Sequence, residues 1–192
     1  MTRLAIDLDG VIVDFMGQVI EQHNLDFASE LTIADITMWD FLPLTVFGIP
    51  TMAKHGGWEA FWRWMEEKEI YLWASEYEGA TDVVRRLMAD INHVVHLVTH
   101  RPEWSKGQTT KWLIEHRILP TVVYTNGKSK AELNYDLWID DQPATLEALA
   151  LRGAAAIRMV RPWNRPIEGI MDAWYWGDVE RLVAEQAKGG WA

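Results

Sequence analysis

Residues 4–15 decide the fold of this chain: Leu4-Ala5-Ile6-Asp7-Leu8-Asp9-Gly10-Val11-Ile12-Val13-Asp14-Phe15. The apolar run at the start of this stretch predicts a buried parallel strand. Side chains two residues apart on a strand point to the same face, so we expect the carboxylates of Asp7 and Asp9 to lie side by side. At about 4 Å and an effective dielectric constant near 20, they repel each other by roughly 4 kcal/mol, so a cation or a proton should neutralise them.

The composition limits the classes of function. A chain of 192 residues, 49% of them hydrophobic, can bury the core of one domain with a small insert. The net charge of −10 argues against an extended nucleic-acid interface, because neutralising a phosphate backbone requires clustered Lys and Arg side chains. A small substrate with one phosphate is compatible with this charge, since one local cation site can outweigh a distant negative field. The absence of cysteine excludes disulfides and thiolate chemistry.

The sequence carries no pattern typical of export or of membrane insertion. The first predicted strand begins at once, without the charged and apolar segments of a secretory signal. No apolar run approaches the roughly 20 residues that span a bilayer. We therefore predict a cytoplasmic protein that binds no membrane, and the sequence leaves open whether it forms a homodimer.

The hydrophobic pattern predicts an α/β fold with a doubly wound, parallel, five-stranded sheet of the Rossmann type. Strands are predicted at 4–6, 94–99, 121–124, 137–140 and 154–159, and helices alternate with the later ones. Residues 15–79 differ, because they contain helical patterns and no convincing strand. We therefore expect residues 1–14 and 80–188 to form the α/β core and residues 15–79 to form a helical cap inserted after the first strand.

Polar side chains follow several predicted strands, at the edge where a doubly wound sheet binds its ligands. Each carboxylate alone is more typical of a helix cap or of a solvated surface, so only the combination predicts a site. The combination is Asp7 and Asp9 after the first strand, Thr99 after the second, Lys128 or Lys130 before the fourth, and Asp140 and Asp141 after it.

This set of motifs resembles that of the haloacid dehalogenase (HAD) superfamily, and more closely that of its 5′(3′)-deoxyribonucleotidase family. The family has an Asp-x-Asp-Gly-Val segment ending in Asp-Phe, which Asp14-Phe15 matches here. The family's helical cap contains a tryptophan, and Trp39 lies in the predicted cap here. The family's lysine lies about ten residues before the end of the strand that carries the acid pair, and Lys130 lies ten residues before Asp140. Further matches are Trp138-Ile139-Asp140-Asp141 and Trp163-Asn164. The resemblance extends from residue 4 to about residue 180.

The resemblance implies a Mg²⁺-dependent phosphomonoester hydrolase that forms an aspartyl-phosphate, with a nucleoside or deoxynucleoside 5′-monophosphate as the expected substrate. It makes Asp7 the nucleophile and Asp9 the group that protonates the leaving alkoxide and later activates water. The ion would be held by the Asp7 carboxylate, the Asp9 main-chain carbonyl and an acid of the Asp140-Asp141 pair, with Asp141 favoured. The other implied contacts are phosphate binding by Thr99, the His100 amide and a lysine, and base binding by Phe15 and Trp39.

Several assignments stay open. Lys130 matches the family spacing and is favoured, but Lys128 follows a turn and could reach the same point. His100 and Arg101 could contact the substrate or face solvent, because the family pattern has small residues after the threonine. Trp39 could line the pocket or belong to the core of the cap.

The class of function also has alternatives. A HAD phosphatase could act on a sugar phosphate or on a nucleic-acid 3′-phosphate, although the acidic charge argues against the latter. A phosphorylatable signalling module of the receiver type uses similar residues. Receivers place their acid pair after the first strand and the phosphorylated Asp after the third, so the order of motifs here argues against that class.

Overall fold

A computed structural model of the protein describes residues 1–39 and 57–189. Within these residues, six strands pair in one parallel sheet. The strands are β1 (Thr2–Ile6), β2 (His93–Thr99), β3 (Thr121–Tyr124), β4 (Leu137–Asp140), β5 (Ala156–Met159) and β6 (Met171–Ala173). Their order is β3-β2-β1-β4-β5-β6.

The α/β fold class is confirmed, but the sheet has one strand more than the predicted five. β6 is three residues long and pairs with β5 through Arg158 opposite Asp172 and Met159 opposite Ala173. A segment this short, with a charged central residue, has neither an apolar run nor a clear alternation. β6 is therefore defined by its neighbour in the sheet rather than by its own sequence.

Helices and 3₁₀ turns connect the strands. Helices lie between the later strands and within residues 15–79, as predicted, and the short helix at Ile70–Trp73 was not predicted. The helices are α1 (Phe15–Phe27), α2 (Trp58–Glu67), α3 (Ile70–Trp73), α4 (Ala80–Ala89), α5 (Lys106–Glu115), α6 (Pro143–Leu151) and α7 (Trp176–Gly189), and the 3₁₀ turns are Ile33–Asp35, Glu103–Ser105 and Lys130–Glu132.

Apolar side chains cover both faces of the sheet. On β1, Leu4 and Ile6 belong to a large buried cluster, whereas Ala5 belongs to a smaller one. On β4, Leu137 and Ile139 join the large cluster and Trp138 joins the smaller one. Because successive strand residues point to opposite faces, these clusters are two cores on the two sides of the sheet, as in a doubly wound fold.

The strand order places a topological switch point between β1 and β4. The chain runs outward from β1 through β2 and β3, and then returns to the other side of β1 with β4. Ligands of doubly wound sheets bind outside the carboxyl ends of the strands at such a point. Residues directly after β1 and β4 therefore meet in one crevice.

The described part of the insert has an apolar core of its own. This cluster includes Val19 and Ile20 of α1 and Phe61 and Met65 of α2, and Trp163 of the α/β part packs into it. A backbone hydrogen bond joins the chain near the two ends of the insert: the N–H of Asp14 donates to the Ser75 carbonyl at 2.8 Å. The division into core and cap domains stays a prediction, and residues 40–56 of the predicted cap lie outside the described residues.

None of the helices within residues 1–39 and 57–189 has the length and apolar character that crossing a membrane requires.

Candidate active site

The loop after β1 approaches the end of β4 very closely. Asp7 stays attached to the sheet, because its N–H donates to the Ile139 carbonyl at 2.9 Å. Gly10 has a φ of +76°, and a Cβ at this position would lie 2.6 Å from the Asp141 Cγ. Both the left-handed backbone and the lack of space require glycine at this position.

Lys130 lies between two of the acids. Its Nζ is 2.6 Å from Asp7 Oδ2 and 3.0 Å from Asp140 Oδ2, and its side chain is 1% exposed. Lys128 is exposed and contributes only a main-chain contact, because its carbonyl accepts a hydrogen bond from His100 Nε2 at 3.3 Å. The structure therefore places Lys130, and not Lys128, among the carboxylates.

A third buried carboxylate lies beside the two that contact this ammonium. Ligand oxygens of Asp7, Asp140 and Asp141 lie within 4.8 Å of one another. Desolvation raises the pKa of Asp7 to about 7, although Lys130 opposes the shift, and desolvation together with the charges of Asp7 and Asp140 raises the pKa of Asp141. Burial acts to lower the pKa of Lys130, but the carboxylates of Asp140 and Asp7 raise it, so the lysine is held as an ammonium. Three carboxylates against one ammonium leave a cluster suited to a further cation.

The donor set fits a divalent cation that prefers oxygen ligands. Asp141 Oδ2 accepts the indole N–H of Trp163 at 2.8 Å, whereas Asp141 Oδ1 is buried and has no hydrogen-bond partner within residues 1–39 and 57–189. An unpartnered buried carboxylate oxygen is costly unless a cation or a proton binds it. Asp140 has less capacity, because Oδ2 contacts Lys130 and Oδ1 accepts the Gln142 N–H at 2.8 Å.

Asp9 is paired with an arginine. Nη2 of Arg101 lies 2.6 Å from Asp9 Oδ1, and Nε lies 2.9 Å from Asp9 Oδ2. The sequence left open whether Arg101 contacts the substrate or faces solvent. The solvent-facing alternative is wrong, because the Arg101 side chain is 0% exposed and is held on the wall of the pocket.

Thr99 and His100 lie at the end of β2, beside the acids. Thr99 is buried, and its Oγ1 accepts the N–H of Arg101 at 3.0 Å. The Thr99 hydroxyl donates no hydrogen bond within residues 1–39 and 57–189, so its proton is available to a ligand. His100 also lines the pocket, although it is one of the more exposed residues around it.

Aromatic side chains form the walls of a pocket of about 220 Å³ above the acids. Phe15 stacks on Tyr71 with ring centroids 5.3 Å apart, and Trp39 lies 6.3 Å from Trp163. Trp62 also lines this pocket. Phe15 and Trp39, the two predicted base-binding residues, both border the pocket. Both also pack against the core of the insert.

The sequence does not indicate the role of some residues in the site. Tyr71 belongs to the short unpredicted helix, and its ring lies 4.3 Å from the Arg101 guanidinium carbon. Trp163 and Asn164 match a family motif, but the sequence alone gives them no role. Asn164 Nδ2 donates to the Asp141 carbonyl at 2.8 Å, so the pair Trp163-Asn164 holds Asp141 from two directions.

Comparison with known sequences gives a family match over nearly the whole chain. Residues 1–189 match the family model of the 5′ nucleotidase, deoxy (Pyrimidine), cytosolic type C protein. A predicted 5′(3′)-deoxyribonucleotidase from Chlorobaculum tepidum is 26% identical over 187 residues, covering 94% of this chain and 89% of the relative. A predicted nucleotidase from Halalkalibacterium halodurans is 29% identical over 172 residues, covering 85% of this chain and 82% of the relative.

Comparison with solved structures gives the same fold. A predicted HAD hydrolase from Bacillus subtilis, determined with bound magnesium, superposes with a TM-score of 0.62 at 14% identity, covering 95% of this chain and 98% of the other. A predicted β-phosphoglucomutase from Thermotoga maritima has a TM-score of 0.64 at 15% identity, covering 96% and 99%. At such low identities the likeness concerns the fold alone.

Proposed function

We propose a specific activity for this chain, which belongs to the family of the 5′ nucleotidase, deoxy (pyrimidine), cytosolic type C and is thus a phosphomonoester hydrolase of the HAD type. It hydrolyses nucleoside or deoxynucleoside 5′-monophosphates through an aspartyl-phosphate at Asp7. One observation carries the proposal. Asp7 lies with Lys130, Asp140 and Asp141 in a buried charged cluster beneath an aromatic-walled pocket.

Asp7 is the proposed nucleophile. Its Oδ1 accepts the Leu8 N–H at 2.7 Å and its Oδ2 contacts the Lys130 ammonium, so both oxygens are oriented. Phosphoryl transfer depends mainly on positioning and on cationic stabilisation of the phosphoryl oxygens. Lys130 supplies one such cation, and the Thr99 hydroxyl supplies a hydrogen-bond donor for a phosphate oxygen.

Mg²⁺ is the proposed ion, because the available donors are all oxygen atoms. The carboxylates of Asp7 and Asp141 and the main-chain carbonyl of Asp9 would hold it. Asp141 is favoured over Asp140, because only Asp141 has a buried carboxylate oxygen without a partner among the described residues. When bound, the ion would neutralise charge on the acids and on the phosphoryl oxygens.

The aromatic walls support a nucleoside as the leaving group. Phe15 and Trp39 border the pocket, and a base gains roughly 1 to 3 kcal/mol by stacking on an aromatic ring. Asp9, close to these rings, is the proposed proton carrier. The cytoplasm is the proposed location, because the matching family is described as cytosolic.

The test is a phosphate-release assay with purified protein and Mg²⁺ on matched substrates. Deoxyribose 5-phosphate and deoxynucleoside 5′-monophosphates share the reacting group and differ by the base. We expect kcat/KM to be roughly 5- to 150-fold higher for nucleotides, which corresponds to the stacking energy. Equal values would contradict a nucleotide substrate and favour a sugar phosphate.

The matched control for the mechanism is Asp7→Asn, which keeps the shape of the side chain and removes the nucleophile. We expect this variant to lose turnover on every substrate while circular dichroism shows an intact fold. Turnover near the wild-type rate would overturn the aspartyl-phosphate mechanism.

A further inference from the structure

The guanidinium of Arg101 grips the carboxylate of Asp9 as a fork. Nε lies 2.9 Å from Oδ2 and 3.1 Å from Oδ1, and Nη2 lies 2.6 Å from Oδ1. The single Nε–H is therefore shared between the two oxygens, and Oδ1 also accepts an N–H of Nη2. The Asp9 side chain keeps 17% of its surface exposed and borders the pocket.

Arg101 is itself held in a single orientation. Its Nη1 donates to Thr109 Oγ1 at 3.0 Å, its backbone N–H donates to Thr99 Oγ1, and the Tyr71 ring covers one face of the guanidinium. Each of its three side-chain nitrogens already donates to a protein oxygen. Three of its five guanidinium N–H groups thus fix the plane in which it orients the Asp9 carboxylate.

We infer that Arg101 is the positioning residue for proton transfer by Asp9, an inference that rests on the proposed function. In the first half-reaction, an oxygen of Asp7 bonds to phosphorus, and the bond from phosphorus to the leaving oxygen breaks. The leaving oxygen keeps the electron pair and takes the proton of Asp9. In the second half-reaction, water bonds to phosphorus and gives a proton to Asp9, and the bond to Asp7 breaks.

The test uses the dependence of the rate on the leaving group. Arg101→Lys keeps the charge and loses the fork. Benzyl phosphate releases an alkoxide that needs a proton, whereas 4-nitrophenyl phosphate releases a phenolate that departs without one. The parameter kcat/KM covers the steps up to transfer of the phosphoryl group to Asp7. We expect it to fall roughly 100-fold for benzyl phosphate and less than about 5-fold for 4-nitrophenyl phosphate.

A matched control is Arg158→Lys. Arg158 is also buried and also forms a fork, with Nε and Nη2 at 2.8 and 2.6 Å from the carboxylate of Asp172. Loss of this fork should change kcat/KM for both substrates by the same factor, because a structural effect does not depend on the leaving group.

The outcomes separate the two proposals. An equal loss on both substrates in active Arg101→Lys protein overturns only the role of Arg101 and favours direct phosphate binding or a structural role. Wild-type protein that hydrolyses neither these two substrates nor any deoxynucleoside 5′-monophosphate overturns the proposed function and the role of Arg101 with it. If Arg101→Lys does not fold, Thr109→Val decides, since it removes one anchor of the guanidinium without removing charge. A selective loss on benzyl phosphate supports the inference, and an equal change overturns it.

Discussion

Replacing Gly10 by alanine should affect stability and activity through two separable terms. The first is backbone strain, because a residue with a Cβ at a φ of +76° costs about 1 to 2 kcal/mol. The second is steric, because the new Cβ would lie 2.6 Å from Asp141 Cγ, whereas ordinary contacts begin near 3.4 Å. The new Cβ also overlaps Asp141 Oδ2, which is its nearest neighbour, so the carboxylate must retreat by at least about 0.8 Å, and overpacking of this kind costs a further 1 to 3 kcal/mol.

A displacement of this size should also reduce catalysis. A misplacement near 1 Å in an active site can cost roughly 100-fold, so we expect kcat/KM of Gly10→Ala for 4-nitrophenyl phosphate to fall by about that factor. Urea denaturation measures the free energy of unfolding, and the same protein preparation is used for the kinetic assay.

Gly127→Ala separates the two terms. Gly127 has a φ of +80°, but no heavy atom of the described residues, apart from its chain neighbours, lies within 4 Å of the Cβ position. It should lose only the 1 to 2 kcal/mol of backbone strain and keep its activity. Equal destabilisation of both variants, with activity retained in Gly10→Ala, would refute the argument that the loop must approach Asp141 this closely.

Two further predictions concern the metal and the base. Mg²⁺ at 100 times its Kd should stabilise the metal-free protein by about 2.7 kcal/mol in chemical denaturation, and a chelator should stop hydrolysis. Asp141→Asn should lose most of this stabilisation, and an undiminished effect would argue against Asp141 as a ligand. Trp39→Ala should raise the KM for nucleotides by roughly 10-fold with little change for 4-nitrophenyl phosphate. The matched control is Trp174→Ala, because Trp174 is 68% exposed and does not line the pocket. An equal rise in KM for both substrates in Trp39→Ala would make Trp39 structural.

Most of the fold was predictable because its signals are local. The apolar runs at 94–99, 121–124 and 137–140 predicted β2, β3 and β4 closely, since each run carries its own strand pattern. β6 was missed because three residues hold too little pattern. The helix Ile70–Trp73 was missed for the same reason, as four residues span barely one turn.

The site was predictable in its residue types and less so in its contacts. Asp7 and Asp141 could be expected to meet, because both follow strands of one parallel sheet. The choice between Lys128 and Lys130 depended on which side chain turns inward, and two residues of sequence do not decide that. The fork between Arg101 and Asp9 joins residues 92 positions apart, and no spacing rule predicts it.

The sequence by itself determined that a buried strand ends in Asp-x-Asp-Gly and that further polar residues follow later strands of a parallel sheet. These features depend on the period of hydrophobic residues and on backbone geometry, which neighbouring residues encode. Only the tertiary structure decided which charges pair, Lys130 with Asp7 and Asp140 and Arg101 with Asp9, and that the indole N–H of Trp163 donates to Asp141. Pairing between distant segments depends on strand order and on burial, because the cost of an unpaired buried charge arises only after the chain has folded.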